Sequence, residues 1–112
     1  MQLACALLAA SCAAAQVTGT LATHQLDSRI FGNQRTVRVW LPAGYSPGEA
    51  RGYPVLLLND GQNLFDRATS VFTGREWQAD ETATRLIAER KIPPLIVVGI
   101  DNAGRSGRPM EY

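Results

Sequence analysis

The chain predicts an α/β fold, and three stretches of its sequence carry that prediction. Val55-Leu-Leu-Leu58 and Leu95-Ile-Val-Val-Gly-Ile100 are continuous apolar runs without alternation, the pattern of parallel strands covered on both faces. Between them Ala79, Ala83, Leu86, Ile87 and Arg90 recur at helical spacing, so one stripe of that helix is mostly apolar. Ahead of both, Arg35-Thr-Val-Arg-Val-Trp-Leu41 alternates, with Val37, Val39 and Leu41 on one face and Thr36, Arg38 and Trp40 on the other. The order is a β-hairpin followed by a parallel βαβ unit, and a crossover of that kind is right-handed.

Each element has its own warrant. Residues 1–15 contain no charged side chain and run from an apolar segment into Ala13-Ala14-Ala15 before Gln16, which reads as a secretory signal with cleavage after Ala15. The segment is too short for a bilayer span of about 20 apolar residues. No Lys or Arg follows Met1, and a buried Ala-rich helix is the competing reading. Cys12, after the small residues Ala9-Ala10-Ser11, is a weak match to a lipoprotein attachment site, because Ala9 stands where a large aliphatic residue is usual. With Cys5 and Cys12 both inside the leader, the mature chain has no cysteine for a disulfide. These features suit an exported, periplasmic or secreted protein.

Residues 16–112 read as one domain. Val17 to about Phe31 forms the first hairpin strand, Gly32-Asn33 the turn, and Pro42 closes the second strand before a Gly- and Pro-containing surface loop. Thr73-x-x-Glu76 has the form of a capping box opening the helix. Asp80 and Glu81 lie early and Arg90 and Lys91 late, matching the helix dipole, and Pro93-Pro94 ends the helix.

Composition excludes several functions. The sequence has 112 residues, 46 % hydrophobic and 19 % charged, with a net charge of +1 and no basic run. Nothing in that distribution suits nucleic acid or an anionic membrane surface. The carboxylates Asp60, Asp66, Asp80, Glu81 and Asp101 match no calcium-loop spacing, and one histidine without mature cysteine makes no zinc pattern. No phosphate-binding glycine motif occurs. No metal or cofactor is expected.

The segment with most chemical content is Asn59-Asp60-Gly61-Gln62-Asn63-Leu64-Phe65-Asp66, set directly after a buried strand. A glycine there lets the backbone turn sharply and expose amides, and such amides stabilise a developing oxyanion by roughly 3–4 kcal/mol per donor. The competing reading is a plain turn in which Asp60 and Asn63 satisfy local amides. Asp-Gly-Gln-Asn-Leu-Phe-Asp resembles the loop after the third strand in the putative-esterase branch of the α/β-hydrolases, the group of enterochelin esterases, feruloyl esterases and mycolyltransferases. Trp77 with Asp80-Glu81, Gly99-Ile-Asp-Asn-Ala-Gly104 and Arg108-x-x-Glu111-Tyr112 extend the likeness over about residues 35–112.

That resemblance implies a partial α/β-hydrolase sheet and a serine carboxylic ester hydrolase working through an acyl-enzyme, without cofactor. Its substrate would be a small-molecule or carbohydrate-linked ester. It implies the Gln62 backbone N–H as an oxyanion donor, Gly61 as the residue enabling the turn, Asp60 and Asn63 as parts of the substrate loop, and Phe65 and Trp77 as pocket residues. For Trp77 plain core is the first reading; Arg108 and Glu111 read as a structural ion pair.

The family's nucleophile, a serine in Gly-x-Ser-x-Gly activated by a histidine that an acid orients, is not found here. Gly104-Arg-Ser-Gly-Arg108 is a near miss with Arg108 in place of the second glycine, so Ser106 is a loop serine. His24, the one histidine, sits in the first hairpin strand. The expectation is a chain truncated before the nucleophile elbow, with the triad downstream. A non-catalytic ligand- or carbohydrate-binding module and an acyltransferase on the same scaffold are the alternatives.

In this sheet the fourth strand lies between the second and third, so Val55–Leu58 becomes an open apolar edge, which invites aggregation. The 112-residue chain by itself is therefore expected to self-associate in sedimentation velocity. A monodisperse, cooperatively melting monomer would contradict this.

Overall fold

The computed structural model describes residues 17–111. The leader assigned to residues 1–15, with Cys5 and Cys12, lies outside the described residues. Strand β1 (Thr20–Ser28) and strand β2 (Asn33–Leu41) form the antiparallel hairpin, joined through residues 29–32 with Gly32 at φ 60°. Strand β3 (Val55–Asn59) leads into a 3-10 turn (Gly61–Asn63). Helix α1 (Ala79–Ala88) and strand β4 (Ile96–Ile100) follow, then a single turn α2 (Gly104–Gly107) and a 3-10 turn (Arg108–Met110). The sheet order is β1-β2-β4-β3, with β4 antiparallel to β2 and parallel to β3. The fourth strand thus separates the second from the third, as anticipated.

Sequence alternation sorts the sheet into two unlike faces. On one, Trp40 stands opposite Val97, which stands opposite Leu56. Against this face pack Leu64 and Phe65 from the loop and Ala83 from α1, forming the buried core with Trp40 and Val97. The indole N–H of Trp40 donates to the carbonyl of Thr18, satisfying the one polar atom that burial of a tryptophan leaves to be paired. The better-covered side of β2 is therefore the Arg38–Trp40 side, because β2 is interior to the sheet and the loop and helix lie over it. On the opposite face Val37, Val39, Ile96, Val98 and Ile100 are half-buried, while Val55 and Leu57 of β3 are 61 % and 62 % exposed. β3 is the apolar edge strand that its sequence implied.

Helix α1 departs from expectation at both ends. It opens at Ala79, not at the Thr73-x-x-Glu76 box, and its N-cap Gln78 sits in the left-handed region at φ 54° with no side-chain cap bond. Tertiary bonds replace the local cap: Trp77 N–H donates to the Asn63 carbonyl (2.8 Å) and Ala79 N–H to the Leu64 carbonyl (3.0 Å). Glu76 faces Arg67 instead, at 3.6 Å. Arg90 lies beyond the helix end, exposed, at φ 57°. Within the first turn Asp80 is fully buried and accepts the backbone N–H (2.7 Å) and hydroxyl of Thr18 (3.1 Å), stitching the chain before β1 to the helix. Burial pushes the neighbouring Glu81 carboxyl above the ordinary carboxylate range, and Asp80 and Glu76 add to the shift.

The turn after β3 is held by direct backbone contact with β4. A Cβ on Gly61 would stand 2.7 Å from the Gly99 carbonyl carbon and 2.8 Å from the Asp101 carboxylate. A Cβ on Gly99 would meet the Leu64 side chain at 2.7 Å and the Gly61 Cα at 3.0 Å. At Gly61 a methyl group would have to move main chain, while at Gly99 it would displace the Leu64 side chain and crowd the Gly61 backbone. Gly61→Ala in the full-length protein is expected to cost about 1–3 kcal/mol, read as a lowered urea midpoint at unchanged m-value. An unchanged midpoint would show that the contact is loose.

Candidate active site

The loop after β3 begins with an unusual residue. Asp60 adopts the left-handed conformation (φ 55°, ψ 44°), which, apart from glycine, Asp and Asn adopt most readily. This reverses the chain at the carboxyl end of β3, where open α/β sheets place their ligand sites. The next residues close a tight turn: Asn63 N–H donates to the Asp60 carbonyl (2.9 Å) and Leu64 N–H to the Gly61 carbonyl (3.3 Å). The N–H of Gln62 has no acceptor among the described residues.

The side chains of the loop are all engaged. The Gln62 side-chain oxygen accepts from the Asn102 backbone N–H at 3.1 Å, and the Gln62 carbonyl accepts from the Thr69 hydroxyl at 2.8 Å. Asn63 is buried, and its side-chain oxygen accepts the Val71 N–H (2.9 Å) and the Ser70 hydroxyl (3.3 Å). Asp60 is gripped by Arg108, Nη2 to Oδ2 at 2.8 Å and Nε to Oδ1 at 3.2 Å, and by the Asn102 side-chain amide at 2.8 Å. Asn63 alone fits the plain-turn reading. Asp60 and Gln62 reach instead to the loop after β4.

Beneath the turn lies a bidentate ion pair, Arg38 Nε to Asp101 Oδ1 at 2.7 Å and Nη2 to Oδ2 at 2.8 Å, with both side chains largely covered. Hydrogen bonding to Asp101 raises the guanidinium above its ordinary value, so Arg38 is a permanent cation. The fork geometry fixes the start of the β4 loop against the middle of β2.

Several residues singled out from sequence fall elsewhere. Phe65 is buried in the core. Trp77 is 67 % exposed, against the core reading, because the backbone bond from Trp77 N–H to Asn63 holds it on the loop before α1. With Leu56, Leu58, Asp60, Leu86 and Leu95 it lines a groove of about 400 Å³ between β3 and α1. Arg108 and Glu111 do not pair with each other: Arg108 turns to Asp60, whereas Glu111 pairs with Arg35 of β2 and accepts the Ala103 N–H at 3.1 Å. Ser106 is exposed in α2 and His24 is exposed on β1. Among the described residues no serine hydroxyl is hydrogen-bonded to His24. What sequence reasoning missed is Asn102, which carries two of the bonds to the loop; its place next to Asp101 after an apolar strand was the available signal.

Solved structures share this fold. A ferric enterobactin esterase from Salmonella typhimurium superposes with a TM-score of 0.61 at 21 % identity, over 88 % of this chain and 22 % of that one. A ferulic acid esterase aligns with a TM-score of 0.56 at 22 % identity, over 80 % of this chain and 32 % of that one. For a ferulic acid esterase from Anaeromyces mucronatus the TM-score is 0.52 at 22 % identity, over 70 % and 27 %. The chain therefore spans between about a fifth and a third of those proteins. No curated protein matches it. The model of the Putative esterase family matches residues 28–111, from the end of β1 through the last turn. By that match, and with this partial α/β-hydrolase sheet, the chain belongs to the Putative esterase family.

Proposed function

We propose that the complete protein is a serine carboxylic ester hydrolase in which this chain supplies one half of the oxyanion hole. A serine carried on later elements attacks the ester carbonyl. The carbonyl oxygen gains charge, and the Gln62 N–H donates to it. Collapse expels the alcohol and leaves an acyl-enzyme, which water then hydrolyses. The second donor is the amide following the nucleophile.

The observation that carries this reading is the turn itself. Gly61 lies against the backbone of Gly99, Asp60 reverses the chain, and the Gln62 N–H is left without an internal acceptor among the described residues. A donor fixed before the reaction needs no reorganisation when charge develops, which is why such groups contribute several kcal/mol. The family match supports an ester as substrate, and the structural neighbours are named as esterases of ferulic acid and of ferric enterobactin.

An ester placed in the main chain between Gly61 and Gln62 removes this N–H and leaves every side chain. In the full-length protein it should lower kcat for p-nitrophenyl acetate by roughly 10²–10³ with little change in KM. Unaltered kcat would remove Gln62 from the oxyanion hole, and absence of hydrolysis by the unmodified protein would remove the esterase reading.

A further inference from the structure

The loop that presents Gln62 does not support itself. Two of its side-chain acceptors, the Asp60 carboxylate and the Gln62 side-chain oxygen, are both held from the segment after β4. Asn102 holds both at once, through its backbone N–H to Gln62 (3.1 Å) and its side-chain amide to Asp60 (2.8 Å). Arg108 adds a two-point grip on the same carboxylate. These partners are separated from the loop by 40 to 48 residues, so no local turn preference supplies them.

The holding segment is itself tied down. Asn102 accepts the Gly104 N–H through its side-chain oxygen at 2.8 Å. Glu111 accepts the Ala103 N–H and pairs with Arg35 on β2, and Asp101 is locked to Arg38 on the same strand. A continuous series of contacts therefore runs from β2, through the β4 loop, to the two residues that flank Gly61. Asp60 occupies a left-handed conformation that, outside glycine, Asp and Asn adopt more readily than other residues.

We infer that Asn102 and Arg108 are positioning residues for the Gln62 amide: they clamp Asp60 and the Gln62 side chain so that the donor keeps one orientation. This rests on the oxyanion role proposed for Gln62, and it adds the device that fixes its direction. Misplacement of a reacting or stabilising group by about 1 Å costs as much as 10²-fold in rate. Loosening the clamp should therefore lower turnover without weakening substrate binding.

The test uses the full-length protein as wild type, Arg108→Met, Arg108→Lys and Asn102→Ala, with p-nitrophenyl acetate, a neutral ester that offers no charge to Arg108. Active-site titration corrects each rate for the folded fraction, and the Gln62 amide resonance is followed by ¹⁵N NMR in every variant. The clamp predicts kcat per active site down roughly ten- to a hundredfold for Arg108→Met and Asn102→Ala at near-constant KM. Arg108→Lys, which keeps charge but loses the fork, should fall between. In all three the Gln62 resonance should shift or broaden. A raised KM with unchanged kcat would make Arg108 a substrate contact and overturn the clamp. So would a Gln62 resonance that stays in place. If wild type hydrolyses no ester the proposed function fails, and the resonance alone still decides whether the clamp exists.

Discussion

Everything distinctive about this chain depends on the backbone contact between Gly61 and Gly99. The turn after β3 and the strand β4 each carry glycine at the point where the one lies across the other. With no Cβ on either side, the turn after β3 settles directly on β4. That approach brings Leu64 and Phe65 down onto Val97 and Trp40, so the same contact that shapes the loop also closes the core. It carries Asp60 and Gln62 within reach of Asn102. A methyl group at either position would push apart both the packing and the polar contacts above it.

Around that contact the charges are arranged by burial. Arg38 and Asp101 lie deepest, and their fork is of the sort that costs about 3–5 kcal/mol when one partner is removed, because the other charge is stranded. Asp60–Arg108 lies nearer the surface, with the Arg108 side chain 53 % exposed, and an ion pair so placed adds little to stability. Its value is directional. The deep pair anchors the β4 loop, and the shallow pair transmits that anchorage to the turn. Under the oxyanion role proposed for Gln62, this division separates a stabilising contact from an orienting one.

How far all of this was legible depends on the range of the interaction. The strands were plain in the sequence, because a strand shielded on both faces leaves an unbroken apolar run, as Val55–Leu58 and Leu95–Ile100 do. The loop was plain too, since Gly61 among Asp, Gln and Asn follows such a run. The start of α1 was not, for Asn63 and Leu64 carbonyls cap it from elsewhere in the chain and the local Thr73-x-x-Glu76 pattern goes unused. The partners of Arg108 and Glu111 were misread for the same reason: spacing suggests a local pair, while the fold offers each a better one across the sheet. Trp77 looked like core by residue type, but its backbone bond to Asn63 leaves the ring at the mouth of the β3–α1 groove. Gly99 within a strand gave a hint of close approach; what approaches it was visible only once the sheet was assembled.

The most direct test of the account is to treat the full-length protein with a fluorophosphonate and locate the adduct by mass spectrometry while following ester hydrolysis. The account predicts one phosphonylated serine per molecule, in a Gly-x-Ser-x-Gly turn outside residues 1–112, with hydrolysis lost in step with labelling. Hydrolysis that survives with no serine adduct, or labelling at Ser106 that abolishes it, would contradict the mechanism built around the Gln62 turn.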